Sequence, residues 1–478
     1  MGALFTSRAR FLGFVQLVIL ATSLVTSLVT SWGLRAEPVK AAPLLRFMET
    51  PYRGGKDRYD NRSAIDSLIK VTGKFLEVPL DHARPERGTF DLFYRVSDNF
   101  DAKLPSVIFF NGGPGGSSDM MAIEKKIKGF NLIYFDQRGT SFSHLRTQED
   151  MINPENFSSE ATAHDAEALR KHLGIAQVSV LGHSYGTIPA TIYGSLFPES
   201  TRAVVIEGVV FDGTVDLWRS PYRLKVMQKF YDRLSDQAKA TIRAINESGQ
   251  VPLHWLSQIL RSAMYESNFD RLVEKKISDL TAMPLNDAIL RVKQSLSQSL
   301  FYADNSFFGT YVLAQISCQE LSMSNPESGW DADLVDGQFR AKGNLEFETV
   351  CREIPGMDKR TNRTYFATNY PILKPVTYFE GSTDGATVAP NAMRHYKEVA
   401  KGRAQLVFEV NGGHSPTMHC LGYEDPSADK NACPKESFIA EALQKALLGE
   451  NISAELLKNM STENRWAKGS RFRSKIPQ

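Results

Sequence analysis

The most restrictive feature of this sequence is a rhythm of short β-branched or aromatic runs, many of them continuously apolar, separated by longer segments of helical spacing. Runs rich in β-branched and aromatic residues occupy Lys74 to Val78, Phe90 to Val96, Ser106 to Phe110, Asn131 to Phe135 and Val178 to Leu181. Others follow at Ala203 to Glu207, Val376 to Glu380 and Gln405 to Val410. A strand covered by helices on both faces buries every side chain, so it reads as an unbroken apolar run. Between two of these runs, Thr162 to Leu173 repeats apolar residues at helical spacing and stops at Gly174, a residue that ends helices without steric cost. Strands alternating with helices predict a doubly wound, mainly parallel α/β sheet. The rhythm stops after Val210. From Gly213 to Pro371 the spacing is helical, as in Tyr222 to Leu234, Ala238 to Ile245, His254 to Met264 and Ala288 to Leu300, and strand signals return at Pro375. A helical stretch between two strands of one sheet predicts an inserted cap domain. The expected division is a targeting segment (1–41), the first part of the core (42–212), a helical cap (213–371), and the second part of the core with a C-terminal tail (372–478).

Within that frame, Gly182-His183-Ser184-Tyr185-Gly186 directly follows a strand and precedes a helical segment, Ile188 to Leu196. G-x-S-x-G in strand–turn–helix context lifts a serine hydroxyl above the sheet on a turn too tight for side chains at the glycine positions. Ser184 is therefore the expected nucleophile. The competing reading is a plain glycine turn with a capping serine. A hydroxyl attacks poorly until a base takes its proton, and the base needs a carboxylate to orient it. In such a sheet the order is serine, acid, histidine. Asp384 follows the strand ending at Glu380, and His414 follows the next strand through Asn411-Gly412-Gly413. His419 is the nearest competitor for the base, and His395 lies in a helical segment. The tetrahedral oxyanion needs donors. One expected donor is the N–H of Tyr185; the other lies in Asn111-Gly112-Gly113-Pro114-Gly115-Gly116, with Gly113 preferred and Gly112 the alternative. A phosphate loop is disfavoured because no Gly-Lys-Ser/Thr follows and Pro114 lacks a donor.

Three of these motifs together resemble a known family. Asn111-Gly112-Gly113-Pro114-Gly115, Asp136-Gln137-Arg138-Gly139 and Gly182-His183-Ser184-Tyr185-Gly186 look like the proline iminopeptidase and tripeptidyl aminopeptidase group of α/β-hydrolase serine peptidases. Val78-Pro79-Leu80-Asp81-His82-Ala83-Arg84-Pro85 is similar to the group's opening strand and loop. The likeness covers about residues 73 to 210 and 370 to 435 and is weak in the cap. Asn111 stands where the group often has histidine, and Ser141 where glycine is usual. Asp136 and Arg138 read as a structural ion pair beneath the site. The resemblance implies the α/β-hydrolase fold and hydrolysis of a peptide bond near a free N-terminus, without cofactor or metal. It also implies acidic residues facing the substrate ammonium: Glu320 is the first candidate and Glu207 the second. Each has a structural alternative, as a solvent-facing and a buried acid respectively. Phe307, Phe308 and Tyr311 suit either an apolar pocket or helix packing. The rival activities are a capped carboxylesterase or lipase and a catalytically silent receptor on the same scaffold.

Lysine and arginine number 56 against 54 aspartate and glutamate, so no excess charge calls for nucleic acid as a partner. The basic patch Lys468 to Lys475 reads as a solvated tail. Arg8 and Arg10 precede an apolar run, Phe11 to Val29, with small residues after it, the pattern of an export signal. Cleavage after Ala36 or Ala41 would release an extracytoplasmic protein. The run is also long enough to span a bilayer, so an uncleaved membrane anchor is the alternative. Four cysteines in an exported chain favour disulfides in one of three pairings, with Cys318–Cys351 and Cys420–Cys433 closing the shortest loops. N-x-S/T motifs begin at Asn61, Asn156, Asn246, Asn362 and Asn451.

Overall fold

The computed structural model describes residues 73–474 apart from 99, 102, 119–122, 124–125, 301–306, 330, 334–339, 343–350, 353–355, 422–432, 435 and 464–470. The expected export segment and the motif at Asn61 lie outside the described residues, as do the side chains of Phe307 and Phe308.

The strands in chain order are β1 (Lys74–Pro79), β2 (Thr89–Val96), β3 (Ser106–Phe110), β4 (Asn131–Phe135), β5 (Val178–His183), β6 (Thr201–Glu207), β7 (Asp331–Asp333), β8 (Arg340–Lys342), β9 (Val376–Gly381), β10 (Ala404–Glu409) and β11 (Phe472–Arg473). Nine form one sheet in the order β1-β2-β4-β3-β5-β6-β9-β10-β11, and β7 and β8 pair separately. From β4 to β10 every neighbour is parallel. β1–β2, β2–β4 and β10–β11 are antiparallel. Every strand read from the sequence forms within two residues of its expected ends, because a wholly buried run such as Ser106–Phe110 has no amphipathic alternative.

The flanking helices carry their own start and stop signals. The Ser158 hydroxyl accepts from the Ala161 amide and caps Ser159–His172. That helix ends where Gly174 takes a φ of +67°. Helices Phe438–Leu447 and Ala454–Glu463 cover one face of the sheet, where Val107, Phe109, Leu181, Val205, Phe379 and Val407 meet Leu443 and Leu457 in one buried cluster.

Between β6 and β9 the chain forms helices Asp216–Arg219, Pro221–Asp232, Asp236–Glu247, Trp255–Ala263, Phe269–Thr281, Leu285–Leu300 and Phe307–Glu320. The helices from Pro221–Asp232 to Leu285–Leu300 build a second apolar cluster around Phe230, Ile242, Trp255, Leu260, Val273 and Val292. Ser220 and Ser235 cap two of these helices, with Pro221 at a first helical position.

The C-terminal basic patch is not simply a solvated tail, contrary to expectation. Phe472 is buried and pairs with Glu409, so β11 closes the sheet edge next to β10. Disulfides join Cys318 to Cys351 and Cys420 to Cys433. Asn156 and Asn246 are buried, the former giving its side-chain amide to Asp150 and the latter accepting from Trp255, so neither is open to modification in the folded chain.

Candidate active site

β5 runs straight into the glycine-flanked turn, and Ser184 adopts a φ of +56°. A left-handed serine costs about 1–3 kcal/mol and persists only where its surroundings hold it. Here a Cβ at Gly186 would lie 2.0 Å from the Phe110 carbonyl oxygen, so the turn is wedged against the end of β3 and only glycine fits. Helix Thr187–Leu196 follows, and Ser184 remains partly exposed at its start.

Asp384 lies in the turn after β9 and is wholly buried. Its Oδ1 accepts the amides of Ala386 (2.6 Å) and Thr387 (3.0 Å). Its Oδ2 accepts the Thr387 hydroxyl (2.8 Å) and His414 Nδ1 (2.7 Å). Nδ1 is therefore the protonated nitrogen, and Nε2 carries the free lone pair. Burial pushes the Asp384 carboxyl up, but the His414 charge and these hydrogen bonds more than reverse it and hold it low. For His414, burial favours the neutral ring, yet the adjoining Asp384 carboxylate outweighs it and raises the pKa.

His183, next to Ser184, has its ring 5.1 Å from that of His414, and its Nε2 bonds the Ser415 hydroxyl at 2.8 Å. The nucleophile turn and the histidine loop are thus tied together. No hydrogen bond joins the Ser184 hydroxyl to His414 among the described residues, a spacing common before substrate arrives. Burial, reinforced by His414, lowers His183 to about 3, so it stays neutral. His419 lies 3.5 Å from Glu266, and His395 is locked between Thr191 and Tyr378; neither contacts Asp384.

The glycine loop after β3 reaches the same place. A Cβ at Gly112 would stand 3.0 Å from Ser184 Cβ. The Gly112 N–H is already given to Asn111 Oδ1 (2.9 Å), and Asn111 Nδ2 donates to the Ser117 carbonyl. Gly113, at a φ of +120°, is exposed, and its N–H makes no hydrogen bond among the described residues. Asn111 therefore shapes the loop from within. Ser141, the other departure from the family pattern, takes a φ of +44°, which accounts for the usual glycine there.

The expected Asp136–Arg138 ion pair does not form. Arg138 is buried against Asp165 (2.6 and 2.8 Å), while Asp136 accepts the amides of Ser118 and Phe142 and so braces the glycine loop. Glu207 is likewise not placed for a substrate amine. It is fully buried and accepts the Thr417 and Met418 amides and the Thr417 hydroxyl, which fixes the loop after His414. Burial raises it to about 7. Glu320 accepts the Ser159 amide and hydroxyl. It borders a cavity of about 890 Å³ whose lining includes neither Ser184 nor His414. Burial brings its carboxyl to about 7, against the pull of Ser159 and Arg363. Tyr311 is buried beside Phe157, which is helix packing.

Several supporting residues were not foreseen. Thr387 bridges Asp384 and His414, and a hydroxyl three positions after the acid in a tight turn was a readable signal. Tyr265 and Arg223 had none. The Tyr265 carbonyl accepts the His414 amide (2.9 Å), its ring lies 5.0 Å from the imidazole, and the Met264 carbonyl accepts the Gly385 amide. Buried Arg223 donates to the carbonyls of Gly385 and Ala386 in the acid turn and of Trp218 and Leu217 in the insertion. Glu380 holds the Val209 amide; burial, with the neighbouring Asp384 charge, drives its pKa well up and keeps it neutral.

The chain is similar to known proteins. A family model described as alpha/beta hydrolase fold matches residues 105–418, from β3 past His414. A proline iminopeptidase of Aeromonas sobria is 26% identical over 300 residues, 56% of this chain and 69% of that protein. A tripeptidyl aminopeptidase of Streptomyces lividans is 30% identical over 105 residues, 22% of this chain and 17% of that one. A solved alpha/beta hydrolase from a Medee basin deep-sea metagenome library shares 16% identity at a TM-score of 0.39, covering 76% of this chain and 96% of its own.

Proposed function

This chain belongs to the alpha/beta hydrolase family, and we propose that it is an exported serine aminopeptidase that cleaves peptides near a free N-terminus. One observation carries the reading: His414 gives Nδ1–H to a fully buried Asp384 while its own loop is tied to the residue beside Ser184. That leaves a basic Nε2 at the strand ends where the nucleophile turn sits. The peptide class comes from the relatives, which are proline iminopeptidases and a tripeptidyl aminopeptidase. Residues 213–371 would form the cap, and residues 1–41 the export signal. The two disulfides fit an oxidising compartment.

In the proposed cycle Ser184 Oγ attacks the carbonyl carbon as Nε2 of His414 takes its proton. The amides of Gly113 and Tyr185 hold the oxyanion. Gly113 is favoured over Gly112 because the latter's N–H is committed to Asn111. His414 then protonates the leaving amine, and water, deprotonated by the same imidazole, hydrolyses the acyl-enzyme.

The test compares an aminoacyl naphthylamide, its amine-blocked counterpart and a short acyl ester on wild type and Ser184→Ala. Cleavage confined to the free amine and lost in Ser184→Ala is the expected result. Equal cleavage of the blocked naphthylamide would show that no free amine is required, cleavage of the acyl ester alone would make the protein an esterase, and undiminished turnover by Ser184→Ala would overturn the assignment.

A further inference from the structure

The side chain of Tyr185 enters a buried row of hydrogen-bonded polar groups. The Gly115 amide donates to Gln137 Oε1 (3.1 Å). Gln137 Nε2 then donates to the Tyr185 phenol (3.0 Å) and to the Thr162 hydroxyl (3.1 Å), whose own proton goes to the Ser158 carbonyl. The amide has two protons, so both bonds form. Ser159 donates its amide and its hydroxyl to Glu320. Having given its proton there, the Ser159 oxygen accepts from the Tyr185 phenol (2.9 Å). Burial holds that phenol protonated. Gln137, Ser159, Tyr185 and Glu320 are each at least nine-tenths buried.

The row begins on the glycine loop and passes through the side chain of Tyr185. It therefore touches both segments that supply the oxyanion amides, and it ends on Glu320. An oxyanion donor works only at the right place when charge develops, and losing one costs about 10²–10³ in kcat. The two segments leave β3 and β5, whose pairing reaches Phe110 and Gly182; beyond it no backbone hydrogen bond joins them among the described residues. We propose that Glu320 is a positioning residue: through Ser159, Tyr185 and Gln137 it fixes the separation of the Gly113 and Tyr185 amides. This rests on the hydrolase reading above and replaces the role of substrate ligand expected for Glu320.

The two roles predict opposite behaviour for a neutral isostere. The amide oxygen of Glu320→Gln still accepts from Ser159, whereas an ammonium-binding site loses its charge. Kinetics on the aminoacyl naphthylamide, with a thermal melt of each variant, separate them. For Tyr185→Phe, Ser159→Ala and Glu320→Ala, kcat should fall ~10-fold or more with KM nearly unchanged, as for an interaction used only in the transition state. Glu320→Gln should recover most of that loss. Tyr185→Phe with Ser159→Ala should be no worse than the poorer single variant, since one break interrupts the whole row. Tyr185→Phe removes one oxygen and leaves a folded protein even where Glu320→Ala fails to melt cooperatively. Full activity in Tyr185→Phe, multiplicative losses in the pair, or a raised KM at unchanged kcat in Glu320→Gln would each overturn the proposal. Wild-type turnover that Ser184→Ala abolishes keeps the hydrolase reading intact whatever these variants do; absence of wild-type turnover would remove both.

Discussion

A free histidine titrates near pH 6.5, and His414 is held above that by Asp384 in spite of its burial. The sign matters for catalysis. The base must be neutral, so activity should be low at acid pH and rise as pH climbs through the raised value. The acid limb of kcat/KM is predicted to have its midpoint above about 6.5. Asp384→Asn removes the carboxylate that raises the pKa and leaves burial, which lowers it. The limb should then move to lower pH while kcat drops by roughly 10³–10⁴. A pH–rate profile on both proteins checks this, and a limb that stays in place would count against His414 as the base. The three principal residues were legible because each is anchored to a strand end by small neighbours close in sequence. Partners that depend on packing were not. Nothing local indicates that Arg138 will choose Asp165 over Asp136, or that Glu207 will hold Thr417 and Met418.

At the scale of elements, the helical segment between β6 and β9 is bound to the loops that carry Asp384 and His414. The turn after helix Trp255–Ala263 supplies carbonyls to the amides of Gly385 and His414, Asn268 donates its amide to the Asn411 carbonyl, and the Tyr222 hydroxyl donates to the Ser382 carbonyl. Arg223 adds four carbonyl contacts spanning both parts. Burial, with Arg261 close by, lowers its guanidinium to about 9. Its charge is thus tolerated chiefly through those carbonyls. Arg223→Met keeps the bulk and strands the acceptors, each worth about 1–3 kcal/mol when buried and unpaired. Stability should fall by about 2–4 kcal/mol, and kcat should fall with it as the acid turn loosens. Thermal melting and initial rates test the prediction; unchanged values of both would show that the insertion does not support the loops. The central strands were easy to read because they are mostly apolar and buried. The two-residue β11 and the 264–268 turn carry no periodic pattern, so only the folded arrangement reveals them.

For the molecule as a whole, the mainly parallel sheet brings β3, β5, β9 and β10 to one rim, and the residues with chemistry sit in the loops that leave those strands. The order of the central strands follows from the connections; the choice of antiparallel partners at the two edges does not. The central claim is that this rim makes Ser184 uniquely nucleophilic through His414. The most direct measurement is reaction with a fluorophosphonate probe, followed by mass-spectrometric mapping of the adduct in wild type, Ser184→Ala and His414→Ala. The account predicts a single adduct on Ser184, absent from Ser184→Ala and slowed by about 10³ or more in His414→Ala. An adduct on any other residue, or labelling of Ser184 at the wild-type rate without His414, would contradict it.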